Sequence, residues 1–254
     1  MLTRDGTQRF STRAQNYVRY RPGYPPEIID LLKVECGLTT DSLVADIAFG
    51  TGMFTRLLLE NGNRVIGVEP NPDMRSAGEE FLARYRRFTS ISGTAEATTL
   101  PAQSADIVTV AQAAHWFDPK KAKDEFVRIL KPGGWVVLIW NDRRIDSSEF
   151  QRQYERLVCT YGTDYKEVRQ RGMELAIDAF FGDPSFRSRE FDYQQTFDYA
   201  GLEGRLLSSS YAPQQGEENY DPMIEELHRV FDQYQVNGRV VFDYDTRVYY
   251  RQLG

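Results

Sequence analysis

Residues 43–58 read LVADIAFGTGMFTRLL. An apolar run, 43–48, leads into a turn carrying Gly50 and Gly52, and helical spacing follows over 53–62. That spacing ends at Gly62, a residue suited to the left-handed position just past a helix. A strand that passes through glycines into a helix opens a βαβ unit, and in open α/β sheets ligands gather at such strand ends. The alternation then repeats. RVIGVEP (64–70) is a second apolar run, after which Asn71 can cap a helix, with Pro72 at its first position and Asp73 in its first turn. FTSISG (88–93) and ADIVTVAQ (105–112) read as strands. Asp118 and Pro119 start a helix over 118–130, KPGG (131–134) is a turn, and WVVLIWN (135–141) is a strand of the buried type. Short strands interleaved with helices imply right-handed crossovers and a parallel sheet covered on both faces, a Rossmann-like half with five strands.

Beyond residue 142 the chain is charged, aromatic and mostly helical. Period-two alternation over 186–199 predicts a sixth strand, 222–234 an amphipathic helix, and 239–253 a closing strand after the Asn237-Gly238 turn. With no internal repeat and no low-complexity linker, the expectation is a single domain over 1–254 with an inserted cap.

Composition narrows the function. Of 254 residues 41% are hydrophobic and 27% charged, and the net charge of −6 disfavours a nucleic-acid partner. No apolar run is long enough for a membrane helix, and the polar, basic start lacks the apolar core of a secretory signal, so a cytoplasmic location is expected. Cys36 and Cys159 stand far apart in no metal-ligand spacing and read as two reduced thiols. With His115 and His228 the only histidines, no metal site is expected.

The glycine turn calls for a ligand. Gly50 and Gly52 let a backbone approach without Cβ interference, and Glu69, 17 residues past Gly52, can accept hydrogen bonds from two ribose hydroxyls. An adenosine-containing cofactor is implied; the bland alternative is an ordinary tight turn with a surface glutamate. The dinucleotide pattern G-x-G-x-x-G fails, because Thr55 stands at the third glycine, and no Gly-Lys-Ser/Thr follows to make a P-loop.

The run from 43 to 141 resembles class I S-adenosylmethionine-dependent methyltransferases. VADIAFGTG resembles their first motif, VIGVEPN the acidic ribose loop, GTAEATTLP the adenine loop, ADIVTVAQAAHWFD the fourth-strand motif, and RILKPGGWVVLIW the turn and strand that follow. GTAE with AQAAHWFD, the YVRYRPGYP segment and the closing YDTRVYYR are similar to the small-molecule type 11 group and its trans-aconitate methyltransferases. The resemblance implies a seven-stranded, mostly parallel Rossmann-like sheet with helices on both faces, its last strand antiparallel, and a helical cap after the fifth strand. It divides the chain into an N-terminal lid and first helix (1–42), a cofactor-binding core (43–141), a cap and sixth-strand region (142–236) and a closing strand (237–254).

It also implies roles. S-adenosylmethionine is the cofactor and S-adenosylhomocysteine the product. Asp46 bonds turn amides or water near the cofactor's amino group, Ala48, Gly50 and Gly52 form the cradle, and Glu69 and Pro70 take the ribose. Thr94, Ala95 and Glu96 meet the adenine, Gln112 and Ala113 pass the methionine portion, and Arg21 pairs with its carboxylate. His115 orients the substrate or accepts its proton, with Tyr17, Tyr20 and Trp116 on the substrate side. Each has a plainer reading: a turn-stabilising Asp46, a solvated Glu96, core packing for Trp116 and Phe117, a structural His115, a surface Arg21.

Three positions depart from the family pattern. Ala48 replaces a glycine and is tolerable at a negative φ, as the last residue of a strand. Phe49 replaces a small residue and could wall the pocket, and Thr94 stands where relatives carry an aspartate. The expected acceptor is a small molecule such as a carboxylate, with no nucleic acid or membrane partner and a monomeric or homodimeric chain. The rival readings are a non-catalytic cofactor-binding regulator or partner subunit, and an RNA methyltransferase, the latter disfavoured by the acidic charge.

Overall fold

A computed structural model describes residues 20–165 and 173–254, with the side chains of 173–175 left aside. Helix α1 (Glu27–Cys36) ends at Gly37, whose φ of 67° is the left-handed stop that glycine allows. There follow β1 (Leu43–Ile47), α2 (Met53–Glu60), β2 (Arg64–Val68), α3 (Pro72–Leu82), β3 (Phe88–Ile91), β4 (Ala105–Ala111), α4 (Pro119–Ile129) and β5 (Leu130–Arg143). The capping signals act as the sequence suggests. The Asn71 side chain accepts from the amides of Asp73 and Met74, and Asp118 from that of Lys121. The rest comprises α5 (Glu149–Tyr161), α6 (Met173–Phe181), β6 (Arg187–Phe197), α7 (Tyr199–Leu207), α8 (Tyr220–Tyr234) and β7 (Val240–Gln252).

The seven strands form one sheet in the order β3-β2-β1-β4-β5-β7-β6. β1 through β5 pair in parallel, and β7 runs antiparallel to both its neighbours. The order reverses between β1 and β4, so the crevice at their carboxyl ends is the switch point where such folds take ligands. The KPGG segment does not separate helix from strand. β5 starts at Leu130 beside Ala105 and re-registers at Trp135 beside Ile107, so 131–134 bulges out of the ladder with Gly133 at φ 83°.

One sheet face is covered by α4 and α6, where Phe126, Ile129, Phe180 and Phe181 are buried against Val108, Val136 and Leu138. The other carries α1 and α2, with Leu32, Phe54 and Leu58 against Val44, Val137 and Tyr250. Each such side chain stabilises by about 1.5–3 kcal/mol through its removal from water. A third core joins α5, α7 and α8 to the far ends of β6 and β7, around Tyr154, Leu202, Leu227 and Phe242. Helix α6, in the segment expected to form a cap, instead packs on the sheet beside α4, because its phenylalanines extend that face: Phe180 lies 5.5 Å from Phe126 between ring centroids. The cap proper is α5, α7 and α8.

Candidate active site

The chain leaves β1 one residue earlier than the sequence suggested. Ala48 is a turn residue at φ 53°, not a strand end at negative φ. A Cβ in this region costs roughly 1–2 kcal/mol. The Phe49 amide then donates to Val68 O at 3.3 Å, tying the turn to β2. Phe49 does not wall a pocket. Its ring is 7% exposed and slots between Gly67 of β2 and Gly78 of α3, where an added Cβ at either glycine would lie 2.6 Å from the ring.

Gly50 (φ 58°) and Gly52 (φ 84°) complete the turn. A Cβ on Gly50 would meet only Met74 Cε at 3.4 Å and the Ala48 carbonyl at 3.9 Å, leaving its surface approachable. A Cβ on Gly52 would strike Leu82 at 2.6 Å, so packing as well as conformation requires glycine there.

Glu69 follows β2 directly and is 6% exposed. Its Oε2 accepts the Gly50 amide at 3.0 Å and its Oε1 the Asn71 amide at 2.9 Å, while Arg75 Nη1 donates to its carbonyl at 3.0 Å. Burial pushes its pKa above the usual range against the pull of those amides and Arg75. A carboxylate offers about four acceptor positions. With one protein donor on each oxygen, Glu69 keeps capacity for two ribose hydroxyls. The open Cβ side of Gly50 and this acceptor capacity fit an adenosine-containing cofactor.

Asp46 does not bond the turn amides. It is buried, and its oxygens accept the hydroxyls of Thr55 (2.5 Å) and Thr109 (2.8 Å), clamping β1 to α2 and β4. Burial pushes its pKa up to about 6 in spite of those two bonds. Sequence reading missed these partners, because Thr55 registered only as a missing glycine.

The other expected residues spread around the crevice. Pro70 is half-buried between Glu69 and the Asn71 cap. Thr94 is exposed, Ala95 buried, and Thr94 bridges to Ala97. Glu96 Oε1 accepts the Asp118 amide at 2.9 Å in an exposed bond, bracing the start of α4. Gln112 has φ 62°, donates its amide to Ile139 O at 2.9 Å and its side chain to Asn141 O at 3.1 Å. Ala113 is buried beside it. His115 sits in a short 3₁₀ turn, Ala114–Trp116, with ring centroids 4.5 Å from Trp116 and 4.9 Å from Trp140. Tyr20 packs on Gly204 of α7, and its carbonyl accepts Gln195 Nε2 at 3.2 Å. Arg21 Nη2 donates to Ser208 O at 3.1 Å, which places it on the cap side of the crevice. Tyr17 lies outside the described residues.

Among the described residues no group of three or more His, Cys, Asp or Glu could hold a metal, and no helix is long and apolar enough to cross a membrane.

Residues 45–138 match a family model described as a methyltransferase domain. The chain is 40% identical over 140 residues to an uncharacterised methyltransferase of Mycobacterium tuberculosis, a match covering 55% of either chain. It thus spans about half the length of that relative. It is 26% identical over 245 residues to a methyltransferase-like protein of Schizosaccharomyces pombe, covering 94% of this chain and 93% of that one. A solved structure assigned as a type II methyltransferase from Anaeromyxobacter dehalogenans superposes with a TM-score of 0.66 at 19% identity, over 92% of this chain and 98% of that one. The sheet order and its crevice define a Rossmann-like fold shared with that solved structure, and residues 45–138 within it are similar to a methyltransferase domain.

Proposed function

We propose that this protein is an S-adenosylmethionine-dependent methyltransferase acting on a small molecule. The observation that carries the reading is the 3.0 Å bond from the Gly50 amide to the Glu69 carboxylate. It joins the glycine turn and the acid across one crevice, inside the segment matched by the methyltransferase-domain model. When bound, the cofactor supplies a sulfonium-activated methyl group that passes in line to a nucleophile while sulfur keeps the bonding pair.

The chain's own residues then bind, orient and exclude water. Glu69 accepts the ribose hydroxyls, and Gly50 lets the turn close on the cofactor without a side chain between. The 94–96 loop borders the adenine, and the left-handed bend at Gln112 turns the 112–113 backbone toward the methionine portion. His115, held against Trp116 and Trp140, belongs to the acceptor side; this aromatic wall keeps the transfer dry and fixes the acceptor's approach. A base is needed only for an acceptor protonated at working pH.

Calorimetry tests the cofactor: S-adenosylhomocysteine binds and NAD does not. Binding of NAD with no response to S-adenosylhomocysteine overturns the reading. Transfer of labelled methyl from the cofactor into a metabolite extract separates an enzyme from a cofactor-binding subunit.

A further inference from the structure

Residues 20–24 run past the crevice before α1 begins, and they are held from two sides. On the cap side Tyr20 packs on Gly204 and Arg21 Nη2 donates to Ser208 O. On the core side the Tyr24 ring meets Phe54 of α2 edge-on at 5.2 Å, two residues past Gly52. Between them lies Gly23, whose backbone bonds the Tyr193 hydroxyl and whose carbonyl accepts Asn141 Nδ2 at 2.8 Å. The segment is a strap from the cap to the helix that follows the glycine turn.

Asn141 of β5 is 8% exposed and is used in three directions. Its Nδ2 donates to Gly23 O, its Oδ1 accepts the buried Thr246 hydroxyl at 2.6 Å, and its main-chain carbonyl accepts Gln112 Nε2 at 3.1 Å. Chemistry fixes the orientation of this amide. A carbonyl can only accept, so the nitrogen faces Gly23, and the oxygen is left to a hydroxyl that can donate.

Gln112 needs the support. Its φ of 62° is a left-handed conformation that disfavours any residue with a Cβ, and such strain persists where the surroundings over-determine it. Two bonds to β5 hold the bend, from the Gln112 amide to Ile139 O and from its side chain to Asn141 O. One residue therefore ties the strap and the loop assigned to the methionine portion to the same point at the end of β5.

We propose that Asn141 is a positioning residue for methyl transfer: it couples the 20–24 strap to the Gln112 bend, so that the two borders of the crevice keep their spacing together and both retain the bound cofactor. The proposal rests on the methyltransferase reading above. It gives Asn141 no contact with cofactor or acceptor; the residue acts through Gly23 and Gln112.

The test uses the full chain. Asn141→Asp keeps the size of the side chain and an acceptor for Thr246 but sets a carboxylate against Gly23 O; Asn141→Ala removes the amide without adding charge. Asn63→Asp is the matched control, a buried amide that donates to Thr39 O at 2.7 Å just before β2 begins, at the opposite end of the strands from the crevice. Amide hydrogen exchange is read on the cofactor-free chain, and the dissociation rate of tritiated S-adenosylmethionine is read in a chase with unlabelled S-adenosylhomocysteine.

Both Asn141 variants are expected to raise exchange at 20–24 and at 112–116 together and to speed dissociation by roughly tenfold, equivalent to about 1.4 kcal/mol and within the range of one hydrogen bond. Asn63→Asp lowers the melting temperature and moves neither readout. Gln112→Met also speeds dissociation, and in the double variant with Asn141→Ala the effect falls at least threefold short of the product of the single effects, as coupled residues require. Exchange that rises at 20–24 alone, a dissociation rate unchanged in both Asn141 variants, the same changes in Asn63→Asp, or single effects that multiply strictly would each overturn the proposal. Wild type that binds no labelled S-adenosylmethionine sinks the methyltransferase reading instead, while exchange on the cofactor-free chain still reads the coupling of strap and bend.

Discussion

At the scale of single residues, the glycine turn shows how one substitution relocates a cost. Ala48 holds φ 53°, a conformation in which glycine loses nothing and alanine is strained. Ala48→Gly is therefore expected to raise unfolding free energy by about 0.5–1 kcal/mol, after the greater freedom glycine gains in the unfolded chain is counted. Denaturant melts check this, and a loss of stability would mean that the chain leaves β1 later than Ile47. Glu69 carries a larger expectation. Glu69→Ala is predicted to weaken S-adenosylhomocysteine by about 1.5–3 kcal/mol, the range for hydrogen bonds to a charged group. An unchanged dissociation constant would remove Glu69 from the site. The glycines, Glu69 and the Asn71 cap were legible in the sequence because each is a local signal. The sign of φ at residue 48 was not, since it depends on where the Phe49 amide finds its acceptor across the sheet.

At the scale of elements, the same turn is held by a slot that no local pattern announces. Phe49 enters between Gly67 and Gly78, and its ring meets Phe88 edge-on at 5.4 Å, joining β1, β2, α3 and β3. The strands and helices themselves followed from alternation and caps. The role of these two glycines rests instead on a ring 18 and 29 positions before them in the chain, which alternation cannot register. Gly78→Ala is predicted to destabilise by about 1–3 kcal/mol through overpacking, since the new methyl would lie 2.6 Å from Phe49 and 2.8 Å from Gly50 O. Combining it with Phe49→Leu should recover part of that loss. Strict additivity of the two changes in a double-mutant cycle would show that ring and glycine are not in contact. Helix α6 teaches a similar lesson: its apolar residues suit either a cap or a sheet face, and only the neighbouring Phe126 decides for the sheet.

For the whole molecule, the parallel core from β1 to β5 was readable because its repeating unit is local, whereas the basic cluster of the cap was not. Arg143 and Arg205 are 62 residues apart, and Tyr154 and Tyr211 stand in the field of both only because the fold brings these segments together. The buried carboxylate of Asp46 gives the molecule as a whole a distinctive pH response. Its folded pKa of about 6 lies above the ordinary value of 3.8, because burial penalises the charged form more than the Thr55 and Thr109 hydroxyls favour it. Between those two values the folded chain holds a proton that the unfolded chain has released, so stability falls as pH rises. The contribution is fully present below about pH 4 and is lost through about pH 6; at 1.36 kcal/mol per unit it is of order 3 kcal/mol. Glu69, also raised, acts in the same direction. Glu125, held down to about 2 first by its bond with Arg128, works oppositely and at lower pH, so the two windows separate. Asp46→Asn keeps the size of the side chain and one acceptor for the threonines but cannot ionise. Relative to wild type, the variant should therefore gain stability on going from pH 4 to pH 7 by an amount of that order, measured by denaturant unfolding at each pH. Parallel pH profiles for the two proteins would show that Asp46 is ionised in the folded state throughout, and that the clamp between β1, α2 and β4 is an ion rather than a shared proton.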